Sequence, residues 1–380
     1  METEANISFA GCGFIGIYHL GVSACLKKFA PHLLQNKIGG SSAGAMCAVA
    51  LVCDLPLENI TRNVAMLAYQ SNEKMLGPFT PSFSIHQIIK STFEELLPDD
   101  VAQRVRERLF VSLTKASNKS NILVSDFYDK TDLIDALCAS SFVPVMSGFV
   151  PPKFRGEFAI DGGYSDNIPD LGGFTITVSP FAGDASIGPT DDNFSSLLLS
   201  IPHGSGGSLH LSTGNMRRFG NAMLPPDTNK MELICSQGFR DAMNYLQSKH
   251  LIRCQKCCEE NQFIVISDLS EENQHCDRCI EKKEDVKDEE LPKELVDVFD
   301  EIREMESKRE VVGLGTYILS LPSMLASSTM TSTTCFMTST VVTISQQRRA
   351  VEKLLRITLT PIKTLRKLQP SIQSCPFVNF

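Results

Sequence analysis

Two glycine-rich turns, each set between a short apolar strand and a helix, constrain this chain more than any other feature. Asn6-Ile7-Ser8-Phe9-Ala10 is an extended run that stops at Gly11-Cys12-Gly13-Phe14-Ile15-Gly16, and from Ile17 to Phe29 the apolar residues take helical spacing. A second short strand around Lys37-Ile38-Gly39 enters Gly40-Ser41-Ser42-Ala43-Gly44, and the small, apolar run Ala45 to Val52 suits a buried helix. Such β-α-β-α alternation builds a largely parallel sheet covered by helices, so the fold class expected is α/β. Further strands are expected at Leu109 to Leu113, Asn121 to Ser125 and Phe174 to Val178, with helices near Ile85 to Leu97 and Thr131 to Ala139.

These elements place one α/β domain over residues 5–180. The 380 residues amount to about two and a half domains of ordinary length, so appendages are expected. Residues 181–250 read as a mostly helical extension packed on the same core, with Met231 to Leu246 its amphipathic helix. Residues 251–282 are cysteine-rich, and 283–310 are charge-dense and acidic, the pattern of a linker or solvated helix. In the last segment, 311–380, Val311 to Gln347 carries no charge but many Ser and Thr and is interrupted by Pro322, which makes a poor membrane span. Arg348 to Leu368 then interleaves Arg and Lys with Val, Leu and Ile around Pro361. That pattern suits a basic amphipathic segment lying on an anionic lipid surface, and equally an ordinary surface helix or a disordered tail.

Charge and cysteine usage narrow the classes further. With 36 basic against 44 acidic residues the net charge is -8, which gives no whole-chain argument for nucleic acid as a partner. Met1-Glu2-Thr3-Glu4 lacks the basic start of a secretory signal, so the 13 cysteines are expected to be mostly reduced thiols in a cytosolic setting. Cys12, Cys25, Cys47, Cys53 and Cys138 stand in apolar contexts and read as small buried hydrophobes. Cys254-x-x-Cys257 and Cys276-x-x-Cys279, eighteen residues apart with Cys258 to spare, have the spacing of a zinc ribbon. Four thiolates would fill the ion's coordination, so this zinc would brace structure and not activate water; free thiols are the alternative.

Gly40-Ser41-Ser42-Ala43-Gly44 fits G-x-S-x-G, the sharp strand-to-helix turn that exposes a serine oxygen, and the helix beyond it aims its positive end at Ser42. Gly11 to Gly16 fits G-x-G-x-x-G, formally a dinucleotide fingerprint, yet the first acid after Gly16 is Asp54, too late to hold a ribose. The loop suits instead a set of amides facing an oxyanion beside Ser42. None of His19, His32, His86, His203, His210, His250 and His275 follows the other parts of a hydrolase triad in a recognisable turn. Asp161, ending an apolar strand at Asp161-Gly162-Gly163, is the better partner, although Asp-Gly is also a common turn cap.

The glycine loop, the serine elbow and the acid turn, in that order and spacing, resemble the patatin-like phospholipase family, including its triacylglycerol-lipase members, over roughly residues 5–250. The stretches 76–83 and 175–181 add to the likeness. The resemblance implies a three-layer α/β/α domain with a mostly parallel central sheet. It makes Ser42 the nucleophile and Asp161 the base of a dyad, the Gly11, Cys12, Gly13 and Gly16 loop the oxyanion hole, Gly40 and Gly44 the elbow, and Gly162 and Gly163 the acid turn. A free carboxylate with a pKa of about 3.9 is a feeble base, so the dyad needs a dry, preorganised site. The resemblance further implies hydrolysis of triacylglycerol through an acyl-enzyme, with no catalytic cofactor. It also implies residence at the lipid-droplet surface, in the cytoplasm or peripherally on endoplasmic reticulum membrane, with an α/β-hydrolase-domain co-activator and perilipin-type coat proteins as partners. Phospholipase, retinyl-ester hydrolase, acylglycerol transacylase and a catalytically weak droplet regulator are the alternatives.

Overall fold

The computed structural model describes residues 5–74, 78, 80, 84–191, 196–202 by backbone only, 208–249, 251 and 290–308. Most of the 76–83 stretch, the four paired cysteines and the tail 311–380 lie outside the described residues. So do His203, His250 and His275.

Four strands run parallel in the order β3 (Leu109–Lys115), β2 (Ile38–Ser41), β1 (Asn6–Phe9), β7 (Thr175–Val178). Every residue of β1 and β2 is buried, as expected of parallel strands covered on both faces, including the polar residues Asn6 and Ser8 that alternate with Ile7 and Phe9 in β1. Ser8, the hydroxyl inside β1, is satisfied by the Pro169 carbonyl at 2.8 Å.

The sheet is mixed beyond β3. β4 (Asn121–Val124), β6 (Glu157–Asp161) and β5 (Lys153–Phe154) join it antiparallel. The register decides where the acid turn arrives. Ser112 pairs with both Ser41 and Leu123, and Leu113 with both Ile122 and Asp161. Since a strand has only two edges, β2 and β6 share one edge of β3 and meet end to end there. The carboxyl ends of β2 and β6, and with them Ser42 and Asp161, are brought together by that shared edge. β5 and β6 turn through Arg155 and Gly156 at φ 48° and 87°, the two-residue hairpin geometry that keeps their register.

The helices are α1 (Ile17–Phe29), α2 (Ala43–Val52), α3 (Leu57–Asn72), α4 (Ile85–Leu96), the short α5 (Val101–Arg104), α6 (Lys130–Ser140), α7 (Thr213–Met223), α8 (Thr228–Ser248) and α9 over 293–308. Polar caps start several of them: Ser84 accepts from the Gln87 amide, Asp129 from Asp132, Ser212 from Asn215 and Asp227 from Lys230. A two-stranded ribbon of β8 (Ser196–Pro202) and β9 (Ser208–Ser212) precedes α7.

Helix α8 lies against α1, with the Tyr18 hydroxyl donating to Asp241 at 2.7 Å, and its Met231, Cys235 and Phe239 enter the same core as the sheet. The segment 283–310, expected to be an acidic linker or solvated helix, behaves differently over α9. Leu295, Val298, Phe299 and Ile302 form an apolar stripe at helical spacing and are buried in that core, so the charges occupy only the opposite face. Charge density concealed the stripe. The described residues up to Met305 form one compact unit. Cys12, Cys25, Cys47, Cys138 and Cys235 are buried and Cys53 is partly exposed, and none of these six is in a disulfide.

Candidate active site

Ser42 sits between the last residue of β2 and the first of α2 with φ 52° and ψ -125°, a conformation that non-glycine residues avoid and that the surrounding structure must enforce. The enforcement is steric. A Cβ on Gly40 would lie 2.5 Å from the Phe9 carbonyl oxygen, and one on Gly44 2.3 Å from the same atom, so only glycines allow β1 to pass this close to the turn. The Ser42 amide donates to Ser140 Oγ at 2.8 Å, and that hydroxyl donates onward to the Ser112 carbonyl at 2.8 Å. The last residue of α6 thus ties the elbow to β3.

The Ser42 hydroxyl lies close enough to the Asp161 carboxylate to favour its ionised form. Both residues are almost fully buried, at 8% and 7% exposure. Burial raises the Asp161 carboxyl from 3.8 to about 6, opposed by a hydrogen bond from the Gly163 amide at 2.7 Å and by the Ser42 hydroxyl. The acid remains ionised at neutral pH while becoming a better base than a free carboxylate. Its backbone is held as well: the Asp161 amide donates to the Phe142 carbonyl at 3.0 Å, and Thr114 Oγ1 donates to the Asp161 carbonyl at 2.7 Å.

Among the described residues no histidine acts on the Asp161 carboxyl. Buried His19 uses Nε2 to donate to the Ala10 carbonyl at 2.8 Å, and burial lowers its pKa to about 4, so it is neutral and pinned to the backbone. The neighbouring Cys12 thiol is held protonated by burial and by the nearby Cys47 and Asp161, and is no rival nucleophile.

The glycine loop lies against the elbow: a Cβ on Gly11 would stand 3.1 Å from Ser42 Cβ, and one on Gly16 2.9 Å from Ala43 Cβ. Its four expected oxyanion residues separate into two groups. The Gly11 amide is already committed to Asn167 Oδ1 at 2.9 Å, and Gly16 closes the 3-10 turn Gly13–Gly16, so both shape the loop and leave no donor to spare. The Cys12 and Gly13 amides, at the start of that turn, have no acceptor among the described residues.

Asn167 is the residue that sequence reading missed. Buried to 3% exposure, it accepts from the Gly11 amide and, at 2.7 Å, from Ser41 Oγ, and donates from Nδ2 to the Gly11 carbonyl at 3.2 Å. One amide side chain therefore fixes the oxyanion loop to the elbow. Its position six residues beyond Asp161, in Asp161-Gly162-Gly163-Tyr164-Ser165-Asp166-Asn167, was the available signal, but nothing local distinguishes it from a turn asparagine. Ser140 had no signal at all.

A family model described as patatin-like phospholipase matches residues 7–169. The 1-acylglycerol-3-phosphate O-acyltransferase Pnpla3 of Mus musculus is 41% identical over 249 residues, covering 65% of this chain and 60% of that relative. Patatin-like phospholipase domain-containing protein 2 of Mus musculus is 39% identical over 255 residues, covering 66% of this chain and 52% of that relative. Patatin-like phospholipase domain-containing protein 4 of Homo sapiens is 35% identical over 245 residues, covering 63% of this chain and 96% of that relative.

The chain belongs to the patatin-like phospholipase family. The matched stretch runs from β1 through Asn167, so in this patatin-like protein the glycine loop, the elbow, the acid turn and the amide that joins them all fall inside it. Helices α7, α8 and α9 lie beyond it. The chain spans little more than half the length of the first two relatives.

Proposed function

We propose that this protein is a serine acyl hydrolase that releases fatty acid from triacylglycerol at a lipid-droplet surface. The observation that carries the acyl chemistry is Ser42 on its strained elbow, beside a buried Asp161 whose basicity is raised. Ser42 Oγ attacks the ester carbonyl as its proton passes to Asp161, and the oxyanion forms against the Cys12 and Gly13 amides and the start of α2. The protonated Asp161 then gives its proton to the leaving glycerol-side alcohol. Water, deprotonated by the same carboxylate, releases the fatty acid and regenerates Ser42.

Lipid droplet residence and attachment through 311–380 belong to the proposal, as do a co-activator of the α/β-hydrolase class and perilipin-type coat proteins. Among the described residues no helix is long and apolar enough to cross a membrane. A second reading, in which an alcohol replaces water as acyl acceptor, is favoured by the relative named as an acyltransferase and by the scant exposure of Ser42 and Asp161 to water.

The deciding experiment gives the chain emulsified triolein, with and without a diacylglycerol acceptor, and separates fatty acid from transferred acyl product. Ser42→Ala should lower both by at least about 10³-fold. Retained activity in that variant, or failure of a fluorophosphonate probe to label Ser42 in the folded chain, would overturn the dyad and favour a lipid-binding regulator.

A further inference from the structure

We propose that the loop 143–150, between α6 and β5, is the part of the patatin domain that inserts into the lipid phase holding the substrate. The inference rests on the acyl-hydrolase reading and adds which surface meets the lipid. The loop reads Val-Pro-Val-Met-Ser-Gly-Phe-Val and is followed by Pro151 and Pro152. Phe149 is 86% exposed, Val150 74% and Val145 63%. Isolated apolar side chains on a surface need no explanation, but three large ones within six residues, standing this far out, form a patch that water penalises.

The chain does not relax to hide them. Val145 has φ 75°, a region that a β-branched residue strongly avoids. It is held there because its amide donates to the Gly148 carbonyl at 2.8 Å, while the Ser147 amide donates to the Val143 carbonyl at 2.8 Å and Ser147 Oγ accepts from the Val143 amide at 3.2 Å. Strain that holds an apolar tip toward water is the kind of cost that persists at functional sites. Pro144, Pro151 and Pro152 restrict the backbone further, so less freedom is lost on insertion.

Position and charge select lipid as the occupant. At the loop's root, the Phe142 carbonyl accepts from the Asp161 amide, and Ser140 Oγ accepts from the Ser42 amide. The loop thus springs from the residues that hold both members of the dyad. A water-insoluble ester has to pass from its own phase to Ser42 with little exposure to water, and a tip anchored beside the dyad would hold that phase at the site. At the loop's other foot, Lys153 lies 5.1 Å from the Phe158 ring centroid and has no acidic partner among the described residues. An apolar tip flanked by a free cation suits acyl chains below anionic headgroups.

The chain contains no tryptophan, so Phe149→Trp creates a single fluorophore at the tip. Phe174→Trp, half exposed at the opposite end of the parallel strands, is the control. Both are made in the 380-residue Ser42→Ala chain and mixed with phosphatidylcholine and phosphatidylserine vesicles containing triolein. Emission from the Phe149→Trp chain should shift to the blue and be quenched by brominated acyl chains, while emission from the Phe174→Trp chain stays unchanged. In the same background, Phe149→Ser with Val150→Ser should weaken vesicle binding at least tenfold, with an unaltered thermal melt.

Vesicle binding that leaves the Phe149→Trp fluorophore unshifted and unquenched overturns the proposal, as does unchanged affinity in the double variant. Loss of a sedimenting dimer on Phe149→Ser would assign the loop to a second copy of the chain and also overturn it. None of these readouts involves turnover, so failure of the hydrolase reading would appear separately, in the triolein assay with the wild-type chain.

Discussion

Asp161→Asn should abolish acyl transfer and at the same time stabilise the fold above pH 6. Burial moves the Asp161 carboxyl from 3.8 to about 6. A carboxyl with a raised folded pKa binds its proton more tightly in the native state, so its contribution to stability is fully present below about pH 4 and is lost as pH rises through 6. At about 1.4 kcal/mol for each tenfold change in ionisation, holding the charged form in the folded protein costs about 3 kcal/mol at pH 8. Asparagine fills the same volume, can still accept from the Gly163 amide, and carries no charge to desolvate. Urea melts of wild type and Asp161→Asn at pH 4, 5, 6, 7 and 8 should therefore diverge. The variant should match wild type near pH 4 and exceed it by about 2–3 kcal/mol at pH 7 and above. On the activity side, wild-type kcat/KM should rise with an apparent pKa near 6, since Asp161 has to be ionised to accept the Ser42 proton. A stability gap independent of pH, or a variant less stable than wild type at pH 8, would refute the burial argument. An acidic limb near pH 4 would refute the assignment of Asp161 as base.

Two further substitutions test what holds the site and the core. Asn167→Ala strands the Gly11 amide, while the Ser41 hydroxyl keeps the residue 167 backbone carbonyl at 3.1 Å, and should cost about 1–3 kcal/mol in a urea melt and lower kcat with triolein by at least about tenfold. Full activity would show that the loop holds its shape without the amide. Phe299→Ala, at a side chain with no exposed surface in an otherwise acidic helix, should cost about 3–5 kcal/mol, whereas a linker or solvated helix would tolerate the change within about 0.5 kcal/mol.

The strands and helices that carry the site were readable because their signals are local. Helix α1 begins and ends where apolar spacing put it, and β2, β3, β4 and β7 occupy their expected places, since short apolar runs bounded by glycine or by polar and charged residues leave few alternatives. The appended parts were less readable. In α9 the apolar stripe was diluted by acids, and α3 (Leu57–Asn72) gave no strong signal with its mixed polar and apolar face.

The sequence alone determined the residue types and their order: a glycine loop, a serine between glycines, an acid before two glycines. These are short-range requirements of backbone conformation and close approach, which a linear string can state. Only the tertiary structure decided that Ser42 and Asp161 share an environment, because that follows from β2 and β6 lying on one edge of β3, a pairing across the chain that no local pattern specifies. The raised basicity of Asp161, the commitment of the Gly11 amide and the linking role of Asn167 follow from the same fact. Each depends on which distant groups exclude water from a given atom or bond to it, and burial of that kind exists only once the chain has packed.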